Sequence, residues 1–125
     1  MSRSARIMIV EDDRCIGESV RDRLESLGYD TVLVADGYSA LATMALEHHR
    51  SPVHLVLLDL RLPGMDGMSV LGELRKIYPE IPVIMMSATA EREDSLEAIK
   101  AGAQDFLPKP IDPRILEEQC RKMLH

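Results

Sequence analysis

Short apolar runs alternate with helical patterns from one end of this chain to the other, and no other feature constrains its fold as much. Ile7-Met8-Ile9-Val10 is continuous and partly β-branched, as suits a strand buried on both faces. Ile16, Val20, Leu24 and Leu27 then recur at helical spacing, and Gly28 follows as a C-terminal cap. A second strand is expected over 31–34 and, after the Asp36-Gly37 break, a second helix marked by Leu41, Met44 and Ala45. The third strand, 53–58, is the most apolar segment and is interrupted only by His54. Pro63-Gly64 and Asp66-Gly67 punctuate a loop. Val70, Leu71, Leu74 and Ile77 mark a third helix that Pro79 ends. A fourth strand (83–86), a helix carrying Leu96 and Ile99 that stops at Gly102, and a fifth strand at Phe106-Leu107 follow. Asp112-Pro113 starts the last helix, with Asp as N-cap and Pro at the first helical position. Its apolar face is Ile115, Leu116, Cys120 and Met123.

Five strands and five helices in strict alternation imply a parallel sheet covered by helices on both faces. The 125 residues suffice for one domain, residues 1–125, and are too few for two. The fold expected is α/β, a doubly wound five-stranded parallel sheet in the order 2-1-3-4-5, flavodoxin-like (βα)5. Its winding reverses between strands one and three, and ligands bind beyond the carboxyl ends of strands at such a reversal. Any chemistry should therefore follow strands one and three.

It does. Strand one runs into Glu11-Asp12-Asp13 and strand three into Asp59. Carboxylates brought into one crevice raise each other's pKa, and a hard divalent cation is an economical way to offset that. Asp12 and Asp13 have a plainer reading as helix-capping acids, and Asp13 is suited to both roles. Asp59, at the mouth of a buried strand, must be paired, hydrogen-bonded or metal-bound. Ser87-Ala88 ends strand four and Lys109-Pro110 ends strand five. A hydroxyl and an ammonium on that rim are what an incoming phosphoryl group requires.

Charge and composition exclude other classes. The formal net charge is -6 and Lys and Arg form no cluster, so direct nucleic-acid contact by this domain is not expected. No apolar run is long enough to span a membrane, and the run at 7–10 is too short for a signal-peptide core. Cys15 and Cys120 lie far apart without a C-x-x-C, which reads as reduced packing cysteines in a cytoplasmic protein. The adjacent His48 and His49 do not share a helix face, His54 reads as a satisfied core or edge residue, and the methionines as packing. The acidic run 91–94 reads as a solvated helix start.

The set Asp12-Asp13, Asp59, Ser87-Ala88 and Lys109-Pro110 resembles the receiver domain of the response regulators of bacterial two-component signalling, chemotaxis regulators included. The stretch from Asp59 through Leu60, Arg61, Leu62, Pro63, Gly64, Met65 and Asp66 to Gly67 is especially similar, and the likeness covers essentially the whole chain. The resemblance implies that Asp59 is nucleophile and phosphoacceptor in a magnesium-dependent reaction. Asp13 would ligate Mg2+ directly, Asp12 mostly through water, and the backbone carbonyl of Arg61 would be a further ligand beside Asp59. Lys109 would pair with phosphoryl oxygens and Ser87 would hydrogen-bond one of them. Phe106 matches an aromatic switch position, although it lacks the phenol of the Tyr often found there. Pro110 would follow a cis peptide bond. Asp66 and Gly67 would set the loop above the site, where plain turn chemistry is the other reading. Arg61 and Thr89, at variable positions, would tune the phosphoryl lifetime.

The partners so implied are a sensor histidine kinase or phosphotransfer protein as donor, and an output domain or downstream protein as receiver of the signal. Helix four, strand five and helix five would form the readout surface and allow a homodimer. Such a domain helps to catalyse its own modification and its reset by water but turns over no metabolite. The sequence fits both a stand-alone regulator and the N-terminal piece of a longer one. Three rivals are weaker. A nucleotide binder would place a Gly- or Ser/Thr-rich loop after strand one. An aspartyl phosphatase would place D-x-D there. A non-phosphorylated adaptor of the same fold would not need the full residue set.

Overall fold

The computed structural model describes residues 4–88 and 92–124. These form β1 (Arg6–Val10), α1 (Arg14–Ser26), β2 (Asp30–Val34), α2 (Gly37–Glu47), β3 (Leu55–Asp59), α3 (Gly67–Ile77), β4 (Val83–Ser87), α4 (Arg92–Lys100), β5 (Asp105–Pro108) and α5 (Pro113–Met123). The strands make one parallel sheet in the order β2-β1-β3-β4-β5, as the alternation predicts. Thr89, placed by the sequence near the site, lies outside the described residues, as does Glu91 at the start of the acidic run.

Side chains alternate across the sheet and separate two apolar layers. Met8, Val10, Val56, Leu58, Val83 and Met85 face α2, α3 and α4, where Met44, Val70, Leu71, Leu74 and Ala98 complete the packing. Ile7, Ile9, Leu55, Leu57, Ile84 and Met86 face Val20 and Leu24 of α1 and Leu116 and Cys120 of α5. All five residues of β3 and of β4 are buried, so these central strands have no solvent face to specify.

Several boundaries follow from local chemistry. Asp13, Asp36, Asp66 and Asp112 cap α1, α2, α3 and α5, each accepting from a backbone N–H of the first turn. Gly28 and Gly102 take positive φ just past α1 and α4. The third strand begins two residues later than the apolar run suggests and includes Asp59 as its last residue. Val53 and His54 instead lead into it, with the His54 amide donating to the Arg6 carbonyl at 2.8 Å. His48 and His54 each accept a backbone N–H on Nδ1, from Val53 and Arg6. Both are therefore structural. Cys15 is exposed, Cys120 is buried, and neither forms a disulfide. No helix among the described residues is long and apolar enough to cross a membrane.

Candidate functional site

The carboxyl ends of β1, β3, β4 and β5 converge on one rim because parallel strands all point their C-termini the same way. Asp59 stands at the end of β3, only 3% exposed. Its Oδ1 accepts the Arg61 N–H at 3.0 Å and its Oδ2 accepts from Lys109 Nζ at 3.0 Å. Lys109 follows β5, and its amide donates to the Ser87 carbonyl at 2.7 Å, which joins the ends of β4 and β5. The Lys109-Pro110 peptide is cis, as the resemblance implies. Ser87 is fully buried at the end of β4, and Ala88 beside it is exposed.

The acids after β1 divide in a way the sequence reading did not anticipate. Glu11 is 3% exposed and continues β1 into the site. Its amide donates to the Val34 carbonyl at 3.0 Å, and its Oε1 lies 2.5 Å from Lys109 Nζ. Oxygens of Glu11, Asp12 and Asp59 lie within 4.8 Å of one another, a spacing that can hold a metal ion. Asp13 is not in that group. Its Oδ1 accepts the Ile16 N–H at 3.1 Å, and its own amide donates to Glu11 Oε2 at 3.1 Å. The acidic group therefore brings Glu11 beside Asp12 where Asp12 and Asp13 were expected together, and Asp13 instead caps the start of α1. An acid immediately before the helix is the capping position, which leaves the two preceding acids for the crevice.

Two carboxylates share one ammonium here, and the charge states reflect it. Burial pushes the Glu11 carboxyl up to about 7, reinforced by Asp59 and opposed by the Lys109 contact and the Asp13 N–H. Burial works against the Lys109 ammonium, yet its contacts with Glu11 and Asp59 outweigh that and hold it above the ordinary lysine value. Glu11 Oε1 is buried and has no hydrogen bond beyond its ion pair with Lys109. Three carboxylates facing one ammonium leave an excess of negative charge and hard oxygen donors. That set fits Mg2+, which takes one or two carboxylates, carbonyls and waters.

The remaining predicted residues frame the site. Asp66 caps α3 through the Ser69 N–H at 2.9 Å. Gly67 is dictated by packing, since a Cβ there would lie 2.3 Å from the Asp59 carbonyl oxygen and 2.7 Å from Leu60 Cα. The Arg61 guanidinium reaches 3.9 Å from Asp94 on α4, across a cleft of about 530 Å³ lined also by Asp12, Pro63 and Asp66. Phe106 pairs with Met85 in the β4–β5 register and is half-buried against the α2–α4 layer. Leu96, Ile99 and Ile115 expose large apolar side chains on α4 and α5.

A sequence profile of the response regulator receiver domain matches residues 7–121. A probable transcriptional regulator, ycf27, of Porphyridium aerugineum is 36% identical over 119 residues, which are 95% of this chain and 48% of that protein. The response regulator protein FleR of Pseudomonas aeruginosa is 38% identical over 113 residues, 90% of this chain and 23% of that one. The chain thus spans about half the length of the first relative and about a quarter of the second. Among solved structures, a CheY-like response regulator receiver domain protein from Methanospirillum hungatei superposes with a TM-score of 0.88 at 34% identity, covering 97% of this chain and 94% of that one.

Proposed function

The chain belongs to the response regulator receiver family of two-component signalling, and from that premise we propose that Asp59 is its phosphoacceptor. The observation that carries this reading is the buried Asp59 carboxylate, held between the Arg61 N–H and the Lys109 ammonium beside Glu11 and Asp12. The donor is a phosphohistidine on a sensor kinase or phosphotransfer protein. An Asp59 oxygen attacks phosphorus in line, the N–P bond breaks, the imidazole leaves, and an acyl phosphate remains. Water later hydrolyses that mixed anhydride and resets the domain.

Glu11, Asp12 and Asp59, with the Arg61 carbonyl, would hold Mg2+. When bound, the ion neutralises charge on phosphoryl oxygens and on the acidic cluster. Lys109 transfers its contact from Asp59 and Glu11 to a phosphoryl oxygen, and the Ser87 hydroxyl donates to another. Those contacts exist only after phosphorylation, so they bias the two-state equilibrium that Phe106 reports on β5. The exposed Leu96, Ile99 and Ile115 support α4, β5 and α5 as the surface read by an output domain, a downstream protein or a second phosphorylated copy. Residues 1–125 form a single receiver unit on this reading.

Intact-mass spectrometry after incubation with acetyl phosphate tests the proposal. A magnesium-dependent gain of one phosphoryl mass, absent in Asp59→Ala, is expected. A gain that survives in Asp59→Ala would place the acceptor elsewhere. No gain at all, with Mg2+ binding also absent, would make the domain a non-phosphorylated adaptor.

A further inference from the structure

The outer surface of α2 is unlike that of the other helices. Its exposed residues include Tyr38, Ala42, Ala45 and Leu46, and its one charged side chain, Glu47, lies 3.6 Å from Arg6. By contrast α5 exposes Arg114, Glu118, Arg121 and Lys122. A helix that is apolar on its outer side as well as its inner side is ordinarily covered. Tyr38 and Leu46 remain 66% and 70% exposed.

The neighbouring α3 continues the same face. The two helices approach closely where Gly37 meets Val70, and their C-terminal ends meet where His48 packs edge-on against Tyr78 at 5.3 Å. Ile77 is 56% exposed at that end. Gly72, in the middle of α3, is the independent observation. A Cβ there would meet nothing within 4 Å, so no contact inside the molecule requires glycine. Glycine in a helix interior is destabilising relative to alanine. An exposed glycine at a helix centre leaves room for a second backbone to approach closely.

We propose that the outer face of α2 and α3 is a self-association surface, pairing about a two-fold axis with the same face of a second copy. Both helices have 11 residues, with Ala42 and Gly72 at their centres. The axis lies across both helices and sets each antiparallel to its own counterpart in the second copy, with Ala42 and Gly72 at the crossings and Tyr38 toward Leu46 of the second copy. Charge decides for a second copy. Asp36 and Asp66 stand at the N-terminal end of the face, and Lys76 and Arg50 at the C-terminal end. An antiparallel match therefore sets acids against bases twice. The chain carries a net charge of -6, and α2 contributes only one charged side chain, Glu47, to this face. Two helices wide and about 16 Å long, the face hides on the order of 1,000 Å² over both copies, which is the range of weak, reversible pairs.

The pairing does not depend on Asp59 being phosphorylated, so it is tested on the unmodified chain. Sedimentation velocity over a concentration series reaching about 1 mM should show a reversible monomer–dimer equilibrium. Ala42→Glu and Gly72→Leu, checked for native circular dichroism, should each weaken it at least about tenfold. Gly72→Ala should raise the melting temperature of the monomer while weakening the dimer. Should either bulky variant lose the fold, Leu46→Lys on the open surface replaces it. A chain that stays monomeric throughout the series overturns the proposal. So does a dimer unchanged in these variants, which would lie on another surface such as α4–β5–α5.

Discussion

Lys109 Nζ lies 3.0 Å from Asp59 Oδ2 and 2.5 Å from Glu11 Oε1, so a single ammonium is divided between two buried carboxylates on different strands. Removing it leaves two facing acids without a counter-charge. Lys109→Met should lower the unfolding free energy by about 3 kcal/mol at pH 8 without Mg2+. The loss should be smaller at pH 5, where Glu11 can take up a proton. Urea denaturation at the two pH values checks this, and an equal loss at both would refute the shared-ammonium account.

Glu11 also sets a pH dependence. Its carboxyl titrates near 7 in the folded chain against 4.5 for the free side chain, so the folded state binds the proton more tightly. Stability is therefore greatest below about pH 4.5 as far as this group is concerned, and falls as pH rises toward 7. The metal-free protein should lose about 2–3 kcal/mol across that window, and Glu11→Gln should flatten the slope. Mg2+ should restore stability above pH 7. A metal-free stability that rises with pH in the wild type and in Glu11→Gln alike would contradict the assignment.

The division of acids after β1 predicts unequal mutants. Glu11→Gln and Asp12→Asn should each weaken Mg2+ binding at least about tenfold by loss of a ligand charge. Asp13→Asn should bind almost normally and fold almost normally, because asparagine is also a good N-cap. Isothermal titration calorimetry is the suitable readout, since the chain has no Trp to report by fluorescence. Equal weakening in Asp12→Asn and Asp13→Asn would reinstate the ligand pair first expected.

Two glycines should respond in opposite ways to the same substitution. A Cβ at Gly67 collides with the Asp59 carbonyl at 2.3 Å, so Gly67→Ala should cost about 2–3 kcal/mol. Gly72 has open space around it, so Gly72→Ala should stabilise the monomer by up to about 1 kcal/mol. Thermal melts of dilute protein distinguish the two.

The cysteines should differ in reactivity. Burial pushes the Cys120 thiol up to about 12, so it stays protonated and shielded at pH 8, whereas Cys15 is exposed. Peptide mapping after brief alkylation of the native protein should find label at Cys15 alone. Labelling of Cys120 at a similar rate would mean that α5 opens readily.

The fold was legible because periodicity, caps and breakers agreed along the chain. The winding order followed from alternation, and the site's location followed from the order. Asp59 and Ser87 could be placed because each ends a strand whose other residues are apolar, and Lys109 because it directly follows Phe106-Leu107-Pro108. Glu11 was missed because, in a run of three acids, sequence alone does not say which belongs to the strand and which to the helix. That is decided by where α1 starts, and a shift of one residue changes every assignment. The close approach of Gly67 to the Asp59 peptide was equally unreadable. It is a contact between backbones eight positions apart, and no side-chain pattern records it.

That contact makes the two sides of the molecule mechanically unequal. With the first turn of α3 seated directly on the peptide of Asp59 and its amide bonded to the Leu60 carbonyl at 3.0 Å, the α2–α3 side behaves as the fixed jaw of a vise. On the other side β4 is also tied to this segment, by the Leu60 N–H to the Met86 carbonyl at 2.8 Å, and the part that meets the carboxylate through a side chain is Lys109, just past β5. A side chain re-aims more readily than a seated helix turn, so any displacement at Asp59 is expected first at Lys109.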